Sequence, residues 1–269
     1  MFNSFLLSLQ PSNIFRWFIY LSKVEFQAYL PRRMTIEEAK RLAAFKAVDT
    51  FIQDNTIIGV GSGSTIVYAV ERLAELKRTK NLNVVCVPTS FQARQLILSN
   101  DLKLGDLEQY PKLNCTIDGA DEVDKNLVLI KGGGGCLLQE KIIAGYSEKL
   151  IIVADYNKDS QHLGDNYKKG IPIEVLPLAY KPIQMRIQEK YRGSATLRMS
   201  IMKAGPVITD NGNLILDWVF PTSEKFNWDE VNKTIKMMPG VIETGLFINM
   251  AHAVFFGTKD GSVKEIYTK

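Results

Sequence analysis

The spacing of apolar and polar residues from Thr35 onwards predicts short strands that alternate with helices. A first helix is expected to begin at Thr35, where Glu38 completes a capping box and apolar residues then recur at helical spacing. Apolar runs predict strands at 56–60, 84–87, 115–117, 127–130 and 150–154, with a helix over 137–146. This alternation predicts a mainly parallel sheet that binds ligands at the carboxyl ends of its strands. The rim formed there is expected to carry Ser62, Asp118, Lys131 and Asp155.

The pattern changes near 164–170 and predicts a compact α+β unit. Strands are expected at 173–176 and 195–201, with a helix over Tyr180–Tyr191 between them. A hairpin turn is expected at Asp210-Asn-Gly-Asn, between strands at 207–209 and 214–219, because Asn-Gly tolerates positive φ. Asn227 is expected to cap a helix that ends at Pro239-Gly240, and strands at 241–248 and 253–257 are expected to return to the main sheet.

We therefore predict an α/β fold with two domains. Residues 34–163 and 242–269 are expected to form the domain with the parallel sheet, and residues 164–241 a smaller inserted α+β domain. Residues 1–33 are expected to be an N-terminal extension outside both domains.

Composition limits the classes of protein to which the chain can belong. The fractions of apolar residues (46%) and charged residues (23%) are those of an ordinary globular protein. Residues 1–33 carry four basic side chains and one acidic side chain, so the remainder is nearly neutral despite a net charge of +4. A clustered basic face of the kind that binds nucleic acid is therefore not expected.

Residues 1–33 leave two interpretations open. Their longest apolar run, 17–21, is far too short to span a bilayer, so no membrane segment is expected. Weakly basic, acid-poor sequence is typical of a mitochondrial presequence, but we favour a flexible or non-native leader before a functional start at Met34.

Three cysteines without metal-binding or redox spacing and only two histidines predict a reduced, cytoplasmic compartment and no zinc site.

The first candidate binding segment is Gly59-Val-Gly-Ser-Gly-Ser-Thr65, a strand followed by a glycine-rich turn and a helix. Backbone N–H groups and the helix dipole at Ser64 and Thr65 favour an anion such as phosphate. No lysine follows the last glycine as in a Walker A loop, and the glycine spacing does not match a dinucleotide fingerprint. A simple strand–helix turn with an N-cap serine is the alternative.

A second candidate segment, Asp118-Gly-Ala-Asp, follows the strand at 115–117, which directs Asp118 towards the ligand-binding rim. Two neighbouring carboxyl groups drive each other's pKa values apart, so Asp118 and Asp121 suit acid–base chemistry. Binding of a divalent cation and a solvated turn are the alternatives.

A third segment begins with Lys131 and continues through Gly132 to Gly135. Ordering four glycines costs conformational entropy, so a purely structural loop is a poor explanation. We expect their amides to close around a substrate oxygen whose developing charge Lys131 neutralises.

Glu140 lies in the next helix and projects between apolar residues. Burial of a carboxyl group raises its pKa towards the range of a general base. The alternative is a structural ion pair with Lys141 or Lys149.

Further along, Lys158 follows the strand at 150–154 and is either a phosphate contact or a solvated side chain.

These segments, in this order, resemble the type A family of ribose-5-phosphate isomerases from Thr35 to the C-terminus. The stretches GVGSGST, DGADE, KGGGG with Glu140, ADYNK and PGVIETGLF coincide in spacing. The resemblance implies interconversion of D-ribose 5-phosphate and D-ribulose 5-phosphate in the non-oxidative pentose phosphate pathway, without a metal or organic cofactor. It also implies a Rossmann-like main domain, a ferredoxin-like smaller domain, and a homodimer or homotetramer.

Carried onto matching positions, the resemblance implies that Glu140 is the base that moves a proton between C2 and C1. It places Asp118, Asp121 and Lys131 around the reacting end of the substrate. The implied substrate-binding positions are Ser62, Gly63, Ser64, Thr65, Gly119, Ala120, Gly132, Gly133, Gly134 and Lys158. Position 62 is Ser where bacterial members often have Thr, which preserves the hydroxyl group.

Two other functions stay open on the sequence. A transferase or deaminase on the same general fold is one, and an acyl-transferring relative would use a glutamate as a covalent nucleophile. A non-catalytic sugar-phosphate sensor that keeps the binding loops is the other. The presence of Glu140 and Lys131 argues against the sensor.

Overall fold

A computed structural model describes residues 34–268 of the chain. Its elements, in chain order, are α1 (Ile36–Phe51), β1 (Thr56–Val60), α2 (Ser64–Lys80), β2 (Val84–Pro88), α3 (Phe91–Ser99), β3 (Lys103–Leu104), β4 (Cys115–Asp118), β5 (Glu122–Val123), β6 (Leu129–Ile130), α4 (Leu137–Gly145), β7 (Leu150–Asp155), β8 (Ile171–Val175), α5 (Tyr180–Tyr191), β9 (Ser194–Leu197), β10 (Leu214–Val219), α6 (Trp228–Lys236), β11 (Val241–Thr244), β12 (Leu246–Phe247), β13 (Ala251–Gly257) and β14 (Val263–Tyr267). The predicted extension at 1–33 lies outside the described residues.

The main sheet has seven strands in the order β14-β13-β7-β4-β1-β2-β3. Every neighbouring pair is parallel except β13 and β14, which form an antiparallel pair at one edge. A mainly parallel sheet has both faces covered, and the strands β4 and β7 are buried along their whole length. The predicted α/β class with a mainly parallel sheet is confirmed.

Helix α1 begins as the sequence predicts. The Thr35 side chain accepts a hydrogen bond from the Glu38 N–H, and the Glu38 carboxylate accepts one from the Thr35 N–H, which completes the capping box. The buried face of the helix is formed mostly by alanines, whereas the larger Leu42 and Phe45 are only partly buried. Small side chains let the helix axis approach the sheet closely.

A four-stranded antiparallel sheet, β11-β8-β10-β9, packs against α5 and α6 around its own apolar core, which contains the fully buried Trp218. Asn227 caps α6 as predicted. No strand forms at 207–209, where one was expected. The segment instead forms a turn around the buried carboxylate of Glu174, which accepts hydrogen bonds from Thr209 Oγ1 and Asn213 Nδ2.

A third sheet, β12-β6-β5, corrects the expectation that residues 127–130 continue the parallel series. The Asp124 side chain accepts hydrogen bonds from the N–H groups of Asn126 and Val128, which reverses the chain between β5 and β6. Parallel neighbours need a crossover of a dozen or more residues, and the connection here is far shorter. Strands β5 and β6 are therefore antiparallel.

The single strand expected at 241–248 is divided at Gly245. Strand β11 pairs with β8 in the four-stranded sheet, β12 pairs with β6, and only the following strand β13 joins the main sheet. Gly245 donates a hydrogen bond to the Pro172 carbonyl and accepts one from the Lys131 N–H, so the chain changes sheets at this residue. The domain boundaries at 163 and 241 remain predictions.

None of the helices between residues 34 and 268 combines the length and the apolar character that crossing a bilayer requires.

The close approach of α1 to β13 generates a prediction about stability. A Cβ atom at Gly257 would lie 1.9 Å from the Ala39 carbonyl oxygen, which belongs to the helix backbone and cannot rotate away. We expect Gly257→Ala to lower the free energy of unfolding by about 1–3 kcal/mol or more, because overpacking displaces the helix from the sheet. Denaturant unfolding followed by circular dichroism measures the change.

Gly145→Ala is the matched control, because a Cβ atom at this last residue of α4 meets nothing within 4 Å. It should leave stability unchanged or raise it by up to about 1 kcal/mol. Equal stability of the two variants would contradict the close-packing argument.

Candidate active site

The loops that follow β1, β4, β6 and β7 surround a cavity of about 370 Å³. Thirteen of the fourteen side chains and glycines singled out in the sequence line this cavity: Ser62, Gly63, Ser64, Thr65, Gly119, Ala120, Asp121, Lys131, Gly132, Gly133, Gly134, Glu140 and Lys158. The exception is Asp118. Lys131 reaches the cavity from the three-stranded sheet and not, as expected, from the parallel sheet.

Asp118 is fully buried behind the cavity and holds the surrounding loops together. Its Oδ1 atom accepts hydrogen bonds from the Ser62 N–H at 3.0 Å and the Gly119 N–H at 2.7 Å. Its Oδ2 atom lies 3.0 Å from Nζ of Lys131. A Cβ atom on Gly61 would lie 2.0 Å from the Asp118 carboxylate, so only glycine permits this contact. Asp118 therefore joins the loops after β1 and β4 to Lys131, and its catalytic role remains a prediction.

Lys131 is an almost fully buried cation that joins two carboxyl groups. Its Nζ atom donates a hydrogen bond to the Gly119 carbonyl at 2.6 Å, and lies 3.0 Å from Asp118 Oδ2 and 3.4 Å from Glu140 Oε1. Burial on its own lowers the pKa of Lys131, but the carboxylates of Asp118 and Glu140 outweigh burial and raise the pKa above its usual value. Lys131 therefore stays protonated in the site.

Glu140 is buried on the apolar side of α4 with Leu137 and Ile143, as its helical position predicts. Its ionic partner is Lys131, not Lys141 or Lys149, since Lys141 donates to Glu243 on β11. The pKa of Glu140 is raised to about 8, chiefly by burial; the nearby Lys131 opposes the rise and Asp118 adds to it. Among the described residues, the Oε2 atom of Glu140 has no hydrogen-bond partner.

Asp121 lines the cavity beside the glycine-rich loop and accepts a hydrogen bond from the Gly133 N–H at 2.7 Å. Burial raises the pKa of Asp121, although this hydrogen bond and Lys131 oppose the shift. The loop is held from its other side by Arg198, whose Nη1 donates to the carbonyls of Gly132 and Gly133 at 3.1 Å each.

The first turn of α2 also lines the cavity. Gly63 is the N-cap residue and makes no side-chain hydrogen bond to that turn, so the turn can receive an anion. Lys40 from α1 also lines the cavity, and its Nζ atom lies 3.0 Å from Ser64 Oγ. The Ser62 hydroxyl donates a hydrogen bond to Ser90 Oγ at 2.6 Å, which fixes the loop against α3.

Sequence reasoning missed Lys40 and Arg198. The signal available for Lys40 was its helical spacing, because it lies four residues after Ile36 and so on the same face of α1. Both residues line the cavity. Arg198 follows β9 in the four-stranded sheet, and nothing in its local sequence indicates contact with a loop 65 residues earlier. In residues 34–268, no group of three or more His, Cys, Asp or Glu side chains is arranged to hold a metal ion.

Comparison with known proteins adds independent observations. The family model described as ribose 5-phosphate isomerase A (phosphoriboisomerase A) matches residues 85–261. The Homo sapiens protein named ribose-5-phosphate isomerase is 59% identical over 227 residues, covering 84% of this chain and 72% of that protein. The protein of the same name from Dictyostelium discoideum is 54% identical over 232 residues, covering 86% of this chain and 98% of that protein.

Two solved structures have the same fold. A D-ribose-5-phosphate isomerase in complex with phospho-erythronic acid is 40% identical, with a TM-score of 0.83 over 87% of this chain and 100% of that chain. Ribose 5-phosphate isomerase from Plasmodium falciparum is 36% identical, with a TM-score of 0.81 over 87% of this chain and 99% of that chain.

The raised pKa of Glu140 predicts how stability depends on pH. Between the ordinary carboxyl pKa of 4.5 and about 8, the folded chain holds a proton on Glu140 that the unfolded chain has released. The stabilisation is therefore complete below the unfolded pKa and is lost as pH rises through the folded pKa, with a slope of at most about 1.4 kcal/mol per pH unit. Glu140→Gln removes this titration.

The measurement is the free energy of unfolding of both proteins across this pH range. We expect the stability of the unsubstituted protein relative to Glu140→Gln to fall as pH rises. A difference that does not change with pH would mean that Glu140 ionises normally.

Proposed function

The chain belongs to the ribose 5-phosphate isomerase A family, and on this premise we propose that its cavity interconverts D-ribose 5-phosphate and D-ribulose 5-phosphate through an enediolate. The observation that carries the proposal is the buried carboxyl group of Glu140, held 3.4 Å from the Lys131 ammonium. A carboxyl group with a pKa of about 8 is a strong base when ionised and a ready proton donor once protonated.

In the proposed reaction Glu140 removes the proton from C2 of the open-chain aldose, and the electrons of that bond form the C1–C2 double bond of the enediolate. Glu140 then returns the proton to C1, while a proton moves from O2 to O1 and leaves a ketone at C2. One base thus serves both steps. Negative charge develops on the two oxygens between the steps, so the site needs fixed donors beside them.

Lys131 and the glycine loop are suited to stabilise that charge. The ammonium of Lys131 is fixed by the Gly119 carbonyl and Asp118, so it needs no reorganisation when charge develops on the substrate. Gly134 and Asp121 line the same cavity. We propose that Asp121 assists the transfer between the oxygens and that Asp118 acts only through Lys131 and the loops.

The phosphate is proposed to bind at the first turn of α2. The helix dipole and the backbone N–H groups at Ser64 and Thr65 favour an anion there. Lys40 and Lys158 line the same cavity and add positive charge. Gly63 at the N-cap position supports this role, because its lack of a side chain keeps the turn accessible.

We also propose that the protein is a homodimer or homotetramer and is cytoplasmic. Several large apolar side chains, among them Leu178, Met237 and Ile201, are more than four-fifths exposed. Contact with another chain would remove this apolar surface from water. All three cysteines are free thiols, which fits a reducing compartment.

The decisive test is Glu140→Gln in a coupled ribose 5-phosphate isomerisation assay. We expect kcat to fall by about 10²–10⁴-fold or more, because the amide cannot accept the C2 proton, while ribose 5-phosphate still binds. For the unsubstituted enzyme, activity should rise with pH as Glu140 ionises. Glu148→Gln, an exposed glutamate just beyond the same helix, is the matched control and should be fully active.

Assays with EDTA test metal independence, and we expect unchanged rates. An active Glu140→Gln variant would remove Glu140 from the mechanism, and an inactive unsubstituted enzyme would refute the proposed function.

Lys40 provides a separate test of the phosphate end. We expect Lys40→Gln to raise KM for ribose 5-phosphate by about tenfold, with a smaller effect on kcat, since phosphate attraction does not change between ground state and transition state. Lys46→Gln on the same helix is the control, because Lys46 does not line the cavity. A fall in kcat with unchanged KM would place Lys40 at the reacting end instead.

A further inference from the structure

Arg198 connects the four-stranded sheet to the glycine-rich loop of the site. Its Nε and Nη2 atoms donate to the two carboxylate oxygens of Asp217 on β10, at 2.8 Å and 2.5 Å. Its Nη1 atom donates to the carbonyls of Gly132 and Gly133. The guanidinium is planar and rigid, so the Asp217 pair fixes the direction in which Nη1 points. Arg198 itself does not line the cavity.

The two carbonyls held by Arg198 determine where two N–H groups point. In a trans peptide the C=O and N–H bonds of one plane point in opposite directions. The plane that contains the Gly132 carbonyl also contains the Gly133 N–H, which points away from Arg198 and donates to Asp121 at 2.7 Å. The same relation applies to the Gly133 carbonyl and the Gly134 N–H, and Gly134 lines the cavity.

The loop needs this support because it is built from glycines, which populate many backbone conformations. A turn hydrogen bond from the Gly135 N–H to the Gly132 carbonyl holds the first of these two peptide planes, but it does not hold the plane of the Gly133 carbonyl and the Gly134 N–H. Arg198 supplies hydrogen bonds to both of the planes that carry the N–H groups of Gly133 and Gly134.

We propose that Arg198 is a positioning residue of the isomerase: it fixes the Gly134 N–H as a donor to the enediolate oxygen and, through Gly133, fixes the carboxylate of Asp121 in the cavity. Asp217 holds Arg198 in the required orientation. The four-stranded sheet thereby contributes to transition-state stabilisation without touching the substrate. This inference rests on the proposed function and adds a donor, Gly134, and the residue that directs it.

The experiment compares Arg198→Met and Arg198→Lys with the unsubstituted enzyme. We expect kcat to fall by about 10–100-fold in both variants, somewhat less than loss of a direct oxyanion donor, with KM close to its original value. The lysine variant keeps a charge beside Asp217, but one ammonium cannot reproduce the fork that reaches Asp217 and both carbonyls.

The affinity for phospho-erythronic acid, measured by calorimetry, distinguishes positioning of the loop from a merely structural role, which would leave this affinity unchanged. Its carboxylate places negative charge at the reacting end, so its affinity should fall by roughly the same factor as kcat/KM. The binding stoichiometry counts folded sites, which allows kcat to be expressed per folded site. A structural role would lower the stoichiometry and leave kcat per site and analogue affinity unchanged, and that result would overturn the proposal.

Arg72→Met is the matched control. Arg72 on α2 forms a similar two-bond pair with Asp49 on α1, at 2.8 Å and 3.0 Å, and neither residue lines the cavity. Its kcat per folded site and its affinity for phospho-erythronic acid should match those of the unsubstituted enzyme.

The two proposals fail in different ways. An unsubstituted protein without isomerase activity would overturn the proposed function and this inference with it. An active protein whose kcat per site survives both Arg198 substitutions would overturn the role of Arg198 alone.

Discussion

The site depends on one buried ammonium that is shared by two buried carboxyl groups. Lys131 cannot neutralise Asp118 and Glu140 equally, and the two acids differ in their other partners. Asp118 also accepts hydrogen bonds from two backbone N–H groups, whereas Glu140 has only Lys131 as a partner among the described residues. Burial of an ionised carboxylate is costly unless it is paired and hydrogen-bonded. Glu140 has few such partners, so burial favours its protonated form. This difference separates a proposed supporting acid from the proposed base, whose pKa burial raises to about 8.

The fold produces this cluster by bringing three differently built segments together. Asp118 ends a parallel strand, Lys131 ends a strand of the small antiparallel sheet, and Glu140 lies in the first turn of α4. The three segments are close in sequence but belong to two different sheets and a helix. Their relative positions therefore depend on the loops between them. Asp118 itself binds two of these loops through the N–H groups of Ser62 and Gly119. The residue that keeps the ammonium buried therefore also shapes the cavity in which the ammonium acts.

Local physical rules made much of this structure predictable from sequence. The capping box at Thr35, the N-cap Asn227, the strand Thr56–Val60 and the burial of Glu140 follow from hydrogen bonding and periodicity within a few residues. What could not be predicted depends on tertiary contacts. A short apolar run such as 127–130 does not reveal which sheet it joins, and only the turn around Asp124 makes it antiparallel. Likewise, the direction of β4 predicted that Asp118 lies at the rim. It did not predict that the side chain lies behind the cavity, because that position depends on the contact with Lys131.

The proposed phosphate end and the proposed proton-transfer end impose opposite electrostatic requirements on one small cavity. A bound phosphate brings up to two negative charges, and their field would raise the pKa of Glu140 further and hold the base in its inactive protonated form. Positive groups around the phosphate oppose that field, so Lys40, Lys158 and the N-terminus of α2 are expected to support ionisation of the base as well as binding. Lys131 cannot fill this role, because Asp118 and Glu140 already share its charge. A buried base that acts on a phosphorylated substrate therefore requires separate cations at the two ends of the cavity.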